Sequence, residues 1–148
     1  MIHLDELIYN AITSDATIME AVGGRVVSTC FEVSPDEKDN TQLPCIIVMD
    51  NGFTNAPEDK DCDWESEEDR VQASVEIDAA SPREVRQLTL MVRQAVTSLI
   101  ESMVEDDEDV PTLESLSSDG IAWDWLKPCY HSTLTYQCLI LIPDYEQD

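Results

Sequence analysis

Apolar and polar positions alternate most clearly over residues 70–79, which predicts a half-buried strand. Its apolar residues would share one face: Val71, Ala73, Val75 and Ile77. Ser81 follows as a helix N-cap, Pro82 fits the first helical position, and Glu84 stands at the third. An apolar stripe at helical spacing then continues to about residue 102. This strand and helix predict a local α+β arrangement.

The rest of the pattern predicts a short N-terminal helical pair and four further strands. The helices cover residues 2–13 and a segment capped by Ser14 and Asp15 that ends near Val22. The strands are at 25–31, 45–49, 121–126 and 130–142. Turn residues predict a turn at 50–52 and loops at 32–42, 53–68 and 105–119, the last two acidic. Consecutive strands without intervening helices favour antiparallel pairing. We therefore expect one α+β domain over residues 1–148, with a mostly antiparallel sheet of about four to five strands and one long helix packed on one face.

Charge is the feature of the composition that departs from an ordinary globular protein. The chain has 32 acidic and 8 basic residues, a formal net charge of −24. Three interpretations compete: a halophile's protein kept soluble by hydrated carboxylates, a DNA mimic that occupies a basic groove, and an acidic surface that lets DNA pass without sticking. Direct nucleic-acid binding is disfavoured in all three, because no basic patch would neutralise phosphates.

The start of the chain lacks a basic region followed by a long apolar stretch, and no apolar run approaches the ~20 residues that span a bilayer. We therefore expect no membrane contact and a protein made in a cytosol or packed into a particle assembled there. The five cysteines form an odd set without a Cys-x-x-Cys pair, which favours reduced, buried thiols.

Two clusters contain residue types that occur in metal sites. Residues 59–65 have the alternate carboxylates of a calcium loop, but Trp64 occupies the position where the turn needs glycine. Cys129 and His131, with Cys45 or Cys138, have ligand types for zinc but no second spaced pair. No nucleophile–histidine–acid set is legible. The sequence therefore predicts no catalytic residue, no metal and no cofactor.

Four aromatic residues are candidates for contact with another protein. Trp123 and Trp125 would lie on the same face of strand 121–126, where they either pack on the sheet or anchor a partner. Phe53 and Trp64 lie in an otherwise charged loop, which gives large apolar groups little to pack against within the chain. Intersubunit contact is the interpretation favoured for Phe53 and Trp64.

The order of these elements resembles the tail-completion family of tailed viruses, which comprises tail terminator and head–tail joining proteins. The similar pieces are the opening helix, the Ala16–Val27 helix with its Gly-Gly-Arg turn, the Leu43–Val48 strand, the strand and helix over Arg70–Val85, and the closing strand Tyr130–Leu141. Each piece alone is weak, and their order and spacing carry the resemblance. The long acidic loops depart from the family pattern.

The resemblance implies a structural virion protein without catalytic residues. It implies a ring, usually of six subunits, that caps the tail tube and meets the head-side connector. Its partners would be further copies of itself, the tail tube protein and the connector, with DNA only as passing cargo. The charge and the scarcity of lysine suggest a virus of a salt-loving archaeon. The alternatives are an acidic DNA mimic that inhibits a host nuclease or DNA-binding protein, and, ranked last, a metal-dependent enzyme.

Overall fold

The computed structural model of the protein describes residues 3–28, 42–55, 68–106 and 111–141. In chain order the elements are α1 (Leu4–Thr13), α2 (Ala16–Ala21), β1 (Val26–Ser28), β2 (Cys45–Asn55), β3 (Glu68–Ala79), α3 (Pro82–Glu105), β4 (Thr112–Ser118), β5 (Ala122–Asp124) and β6 (Cys129–Leu141). The predicted α+β class, with one long helix and a short N-terminal helical pair, is confirmed.

The six strands form one sheet in the order β1-β2-β3-β6-β4, and β5 pairs with β6 beyond β4. All pairs are antiparallel except β1 with β2. The two longest pairings join β3 to β2 and β3 to β6, so β3 is the central strand. The sheet is mostly antiparallel as predicted, and it has six strands instead of four or five.

One face of the sheet carries the core, and α1 and α3 pack against it. The predicted apolar side of β3 lies on this face, where Val75 and Ile77 are fully buried. On the other face, Gln72 of β3 donates a hydrogen bond to Gln137 of β6 at 2.8 Å in an exposed position. The alternation along β3 therefore separates a helix-covered face from a polar one.

The connection from β3 to α3 follows its local sequence. Ser81 has extended backbone angles, and its hydroxyl accepts the backbone N–H of Glu84 at 3.2 Å. Pro82 stands at the start of the helix, where no donor is needed. Asp15 caps α2 in the same way, accepting the N–H groups of Thr17 and Ile18. Both caps confirm helix starts that were predicted from single residues.

The predicted loop at 105–119 is wrong in its second half, because Thr112–Ser118 forms β4 along β6. Nearly all β4 side chains are exposed, so the strand has no apolar alternation to mark it. The predicted turn at 50–52 is also wrong. β2 continues through it to Asn55, with a bulge between Asp50 and Phe53. The predicted loops at 32–42 and 53–68, and the calcium-like carboxylates at 59–65, lie largely or wholly outside the described residues.

Candidate interaction surface

The exposed large apolar side chains of the described residues gather mainly at the two ends of the sheet. One group, the tryptophan end, consists of Trp123, Trp125 and Leu126. The other group, the Phe53 end, consists of Phe53 and Leu113, which lie in one row across the sheet through Val71 and Cys138. Strand pairing gives the distance between the two groups. Trp123 pairs with Tyr130, which pairs with Ala79 of β3, whereas Phe53 pairs with Val71 of β3, so the two groups are eight residues apart along β3. Eight strand residues span about 26 Å, so the two groups form separate surfaces.

The tryptophan end is built on the turn between β5 and β6. The Asp124 carboxylate accepts the backbone N–H groups of Leu126 at 2.9 Å and Lys127 at 3.3 Å, which closes an Asx turn. The turn leaves Trp125 85% exposed and Leu126 99% exposed. The side chains of Trp125 and Leu126 are therefore exposed to solvent over most of their surface.

Trp123 and Trp125 do not share a strand face as predicted, because β5 ends at Asp124 and Trp125 belongs to the turn. The two rings still meet edge to face, with centroids 5.9 Å apart. Trp123 makes a second edge-to-face contact with Tyr130 of β6, at 4.9 Å. Each such aromatic pair contributes about 0.5–1.5 kcal/mol beyond burial, so the tryptophan end has a defined shape.

An ion pair between a partly exposed lysine and a buried aspartate holds this turn against the sheet. The Lys127 ammonium lies 2.8 Å from Asp78 Oδ2 of β3, and Asp78 is only 2% exposed. The ammonium also donates to the Cys45 sulfur of β2 at 3.1 Å, and the Cys45 thiol lies 3.7 Å from the same carboxylate oxygen. One side chain of the turn thus contacts two strands of the sheet.

The pKa of Lys127 reflects this environment. Burial acts first and lowers the pKa, but the hydrogen bonds to Asp78 and Cys45 together outweigh it, so the pKa is raised. Lys127 is therefore charged at neutral pH. Its favourable contribution to stability is complete below the ordinary lysine pKa and is lost as the pH rises through the higher folded-state value.

At the Phe53 end, the bulge in β2 turns Phe53 outward. Gly52 precedes it with a φ of 85°, in the left-handed region that favours glycine, and Phe53 is 70% exposed. Phe53 borders a pocket with Leu4 and Val71 on its apolar side. The carboxylate-bearing residues around the same pocket are Asp5, Asp50 and Asp69. This end therefore combines apolar contact area with negative charge.

The predicted contact residues thus fall into two groups. Trp123 and Trp125 are brought together, Phe53 lies at the other end of the sheet, and Trp64 lies outside the described residues. Leu126 and the Asp78–Lys127 pair were missed. Asp124 is a residue typical of turns, and a turn there would have indicated that Leu126 is exposed. The ion pair joins residues 49 positions apart, so no local pattern indicates it.

The cysteines near the tryptophan end behave as buried thiols. Burial raises the pKa of Cys45, and it raises the pKa of Cys129 to about 11. Cys138 belongs to the core on the helix side, and burial raises its pKa to about 11 as well. Protonated thiols are poor nucleophiles and poor metal ligands. No group of three or more His, Cys, Asp or Glu side chains that could hold a metal ion occurs within the described ranges, so the zinc set is not assembled there.

These thiols predict a loss of stability at alkaline pH. The folded protein keeps the Cys129 and Cys138 protons up to about pH 11, whereas the unfolded chain releases them near the ordinary value of 9.0. Between these values the unfolded state binds fewer protons, so the free energy of unfolding falls as the pH rises. Urea titrations under reducing conditions at pH 8, 9 and 10 should show this decline. Cys138→Ala should flatten the slope, and an equally steep slope in that variant would contradict the assignment.

The arrangement suits contact with macromolecules through two apolar ends.

Within the described ranges, no helix has the length and apolar character needed to cross a membrane. The amino-acid sequence matches no protein-family model and no curated protein.

Proposed function

We propose that the protein is a structural component of a tailed virus particle that acts by assembly and not by catalysis. In this proposal several copies form a ring, usually of six, at the head-side end of the tail tube. The ring ends tube growth and provides the surface that meets the head-side connector. The protein would then be located in the virion at the head–tail interface, and in the host cytoplasm while particles are assembled.

The observation that carries this proposal is the presence of apolar groups at both ends of one sheet. A protein placed between a tube and a connector must contact one partner at each end, about 26 Å apart here. Trp125 and Leu126 present an uncharged tip, and Phe53 presents an apolar group beside Asp5 and Asp50. The two ends therefore differ in charge and suit two different partners.

The fold adds support, because its element order is the one that the family resemblance implies. The opening helices, the central strand with its capped helix and the long closing strand occur in that order. The net charge of −24 also agrees with a ring through which DNA passes, since positive charge would hold the phosphates. The high net charge and the scarcity of lysine favour a host that lives at high salt. In such a host the ring would form at molar salt.

The proposal is tested by the assembly state of the purified protein. Sedimentation velocity and negative-stain electron microscopy, at about 0.15 M and at molar salt, should show closed rings at one of these salt concentrations. Adding the rings to growing tail tubes of the same virus should stop elongation and leave one ring on a tube end. A strictly monomeric protein that ignores tube ends would refute the proposal.

The DNA-mimic alternative has a separate outcome in the same study. A mimic competes with DNA for a basic nuclease or DNA-binding protein, and the competition weakens steeply with salt. Such competition by a monomer, without ring formation, would replace the structural proposal.

A further inference from the structure

The pocket at the Phe53 end lies between the start of α1, the bulge of β2 and the first residues of β3. Its volume is about 350 Å³, which is enough for one long side chain or a small ligand. The apolar and acidic residues of its lining are Leu4, Phe53, Val71, Asp5, Asp50 and Asp69. His3 and Gly52 complete the lining, so no lysine or arginine of the described residues borders the pocket.

Asp69 brings a carboxylate to the face of the sheet that carries the helices. It stands two residues before Val71 on β3, and strand alternation places both side chains on one face. Asp69 is 9% exposed, and its Oδ1 accepts a hydrogen bond from Asn55 Nδ2 at 2.9 Å. No described residue donates to its Oδ2. This buried carboxylate can therefore accept a further hydrogen bond.

Asp5 is the second buried carboxylate of this pocket. It stands in the first turn of α1 and is 8% exposed. Within the part of the chain that the structure describes, its side chain accepts no hydrogen bond and forms no ion pair. Buried polar groups are nearly always hydrogen-bonded, and an ionised carboxylate accepts several donors. Asp5 therefore indicates a ligand that brings donors into the pocket.

The lining favours an extended organic cation as this ligand. Asp5 and Asp69 belong to no group of three described side chains that is arranged to hold a metal ion. A guanidinium is flat and has five N–H donors directed outward in its plane, so it can reach carboxylates that stand apart. Phe53 is 70% exposed and supplies a ring face on which that plane can stack.

We propose that the pocket binds the guanidinium of an arginine side chain from the protein that meets the Phe53 end. The guanidinium donates to Asp5 and Asp69 and stacks on Phe53, while the aliphatic part of the arginine contacts Leu4 and Val71. A basic partner also complements the net charge of −24. This inference rests on the proposed function, because it states the chemistry of the partner at one end of the ring.

Burial decides how this contact responds to salt. Ion pairs between exposed side chains are largely screened at molar salt, whereas buried or partly buried pairs are screened much less. Asp5 and Asp69 are both at least nine-tenths buried, so the arginine contact can persist at molar salt. The pocket therefore suits a protein that assembles in a salt-rich cytoplasm.

Three small probes test the pocket: the N-acetyl methylamides of arginine, citrulline and lysine. Citrulline is the neutral isostere of arginine, since a ureido group replaces the guanidinium. Methyl NMR of Leu4 and Val71 follows binding to the wild-type protein. The arginine probe should shift both signals and bind about tenfold or more tightly than the citrulline probe. The lysine probe should also bind more weakly, because a point charge neither spans separated carboxylates nor stacks on Phe53. Equal binding of either control probe would overturn the inference.

Two variants of equal charge change locate the binding. Asp5→Asn and Glu20→Gln each remove one negative charge, and Glu20 is exposed on α2, away from the pocket lining. Asp5→Asn should weaken binding of the arginine probe by about tenfold, and Glu20→Gln should leave it nearly unchanged. Asp69→Asn should give a similar loss and serves as the test if Asp5→Asn disturbs α1, which circular dichroism would show. Equal effects of the pocket and control variants would overturn the inference, because net charge would then explain the binding.

Binding of the assembled ring to its partners separates this inference from the proposed function. Asp5→Asn should weaken the same partner that Phe53→Ser weakens, by about tenfold, and leave the partner of the tryptophan end unaffected. A partner at the Phe53 end that binds Asp5→Asn as tightly as the wild type would refute the arginine contact and leave the ring proposal intact. A wild-type protein that forms no ring but prefers the arginine probe would refute the proposed function and support the pocket assignment.

Discussion

Replacing Lys127 by methionine should lower the free energy of unfolding by about 3–5 kcal/mol at pH 7. Methionine keeps much of the side-chain volume but removes the charge that lies 2.8 Å from Asp78. Asp78 is 2% exposed, so its carboxylate would remain buried without a counterion, with the Cys45 thiol 3.7 Å away. Breaking a buried pair by removing one partner costs this much because the other charge stays desolvated. Urea denaturation measures the change.

Two further variants control for other causes. Glu114→Gln removes the charge from the half-exposed Arg70–Glu114 pair and should cost less than about 1 kcal/mol. Adding Asp78→Asn to Lys127→Met should recover part of the loss, since the buried charge is then gone. A Lys127→Met protein as stable as the wild type would show that the pair does not hold the β5–β6 turn.

Replacing Trp125 and Leu126 together by serine should weaken binding of the partner proposed for this end of the sheet by about thirtyfold or more, with only a small loss of stability. Both side chains are almost entirely exposed, so the main loss of folding free energy should be that of the edge-to-face contact between Trp125 and Trp123, about 1.5 kcal/mol at most. Exposed tryptophans that become buried in an interface often contribute 2 kcal/mol or more, which corresponds to at least about thirtyfold in affinity. Pull-down and surface plasmon resonance against tail tube protein and connector would measure the loss.

The Phe53 end supplies the matched control for this experiment. Phe53→Ser removes one exposed apolar group at the opposite end of the sheet. If the two ends meet different partners, each variant should lose one partner and keep the other. Loss of both partners in both variants, or of neither in either, would show that the ends do not act separately.

Local signals explain which parts of the fold the sequence predicted. The β3–α3 unit could be predicted because alternation, the Ser81 cap and Pro82 act within a few residues of one another. β4 could not be predicted, because nearly all its side chains are exposed and the strand depends on backbone pairing with β6. Asp50, Asn51 and Gly52 are residues typical of turns. β2 nevertheless pairs with β3 on both sides of them, so they form a bulge within the strand.

The candidate surface was predicted only in part for a similar reason. Exposed aromatic residues can be found in a sequence, and Trp123, Trp125 and Phe53 were. Their grouping depends on strand register, which places Trp123 beside Tyr130 and leaves Phe53 eight residues away along β3. The Lys127–Asp78 pair depends on a contact between distant segments, and nothing local in the sequence marks it.

The position of β4 has a consequence for how concentrated solutions of the protein behave. In the described structure β4 is the last strand on its side, paired only with β6. An edge strand has unpaired backbone N–H and C=O groups, so a strand of another chain can pair with it, as in cross-β fibrils. Here the pairing register shifts between Leu113 and Ser115, and the charged Glu114 lies at that irregularity. The irregular register and the charge at this edge therefore oppose the addition of a strand from another copy of the chain.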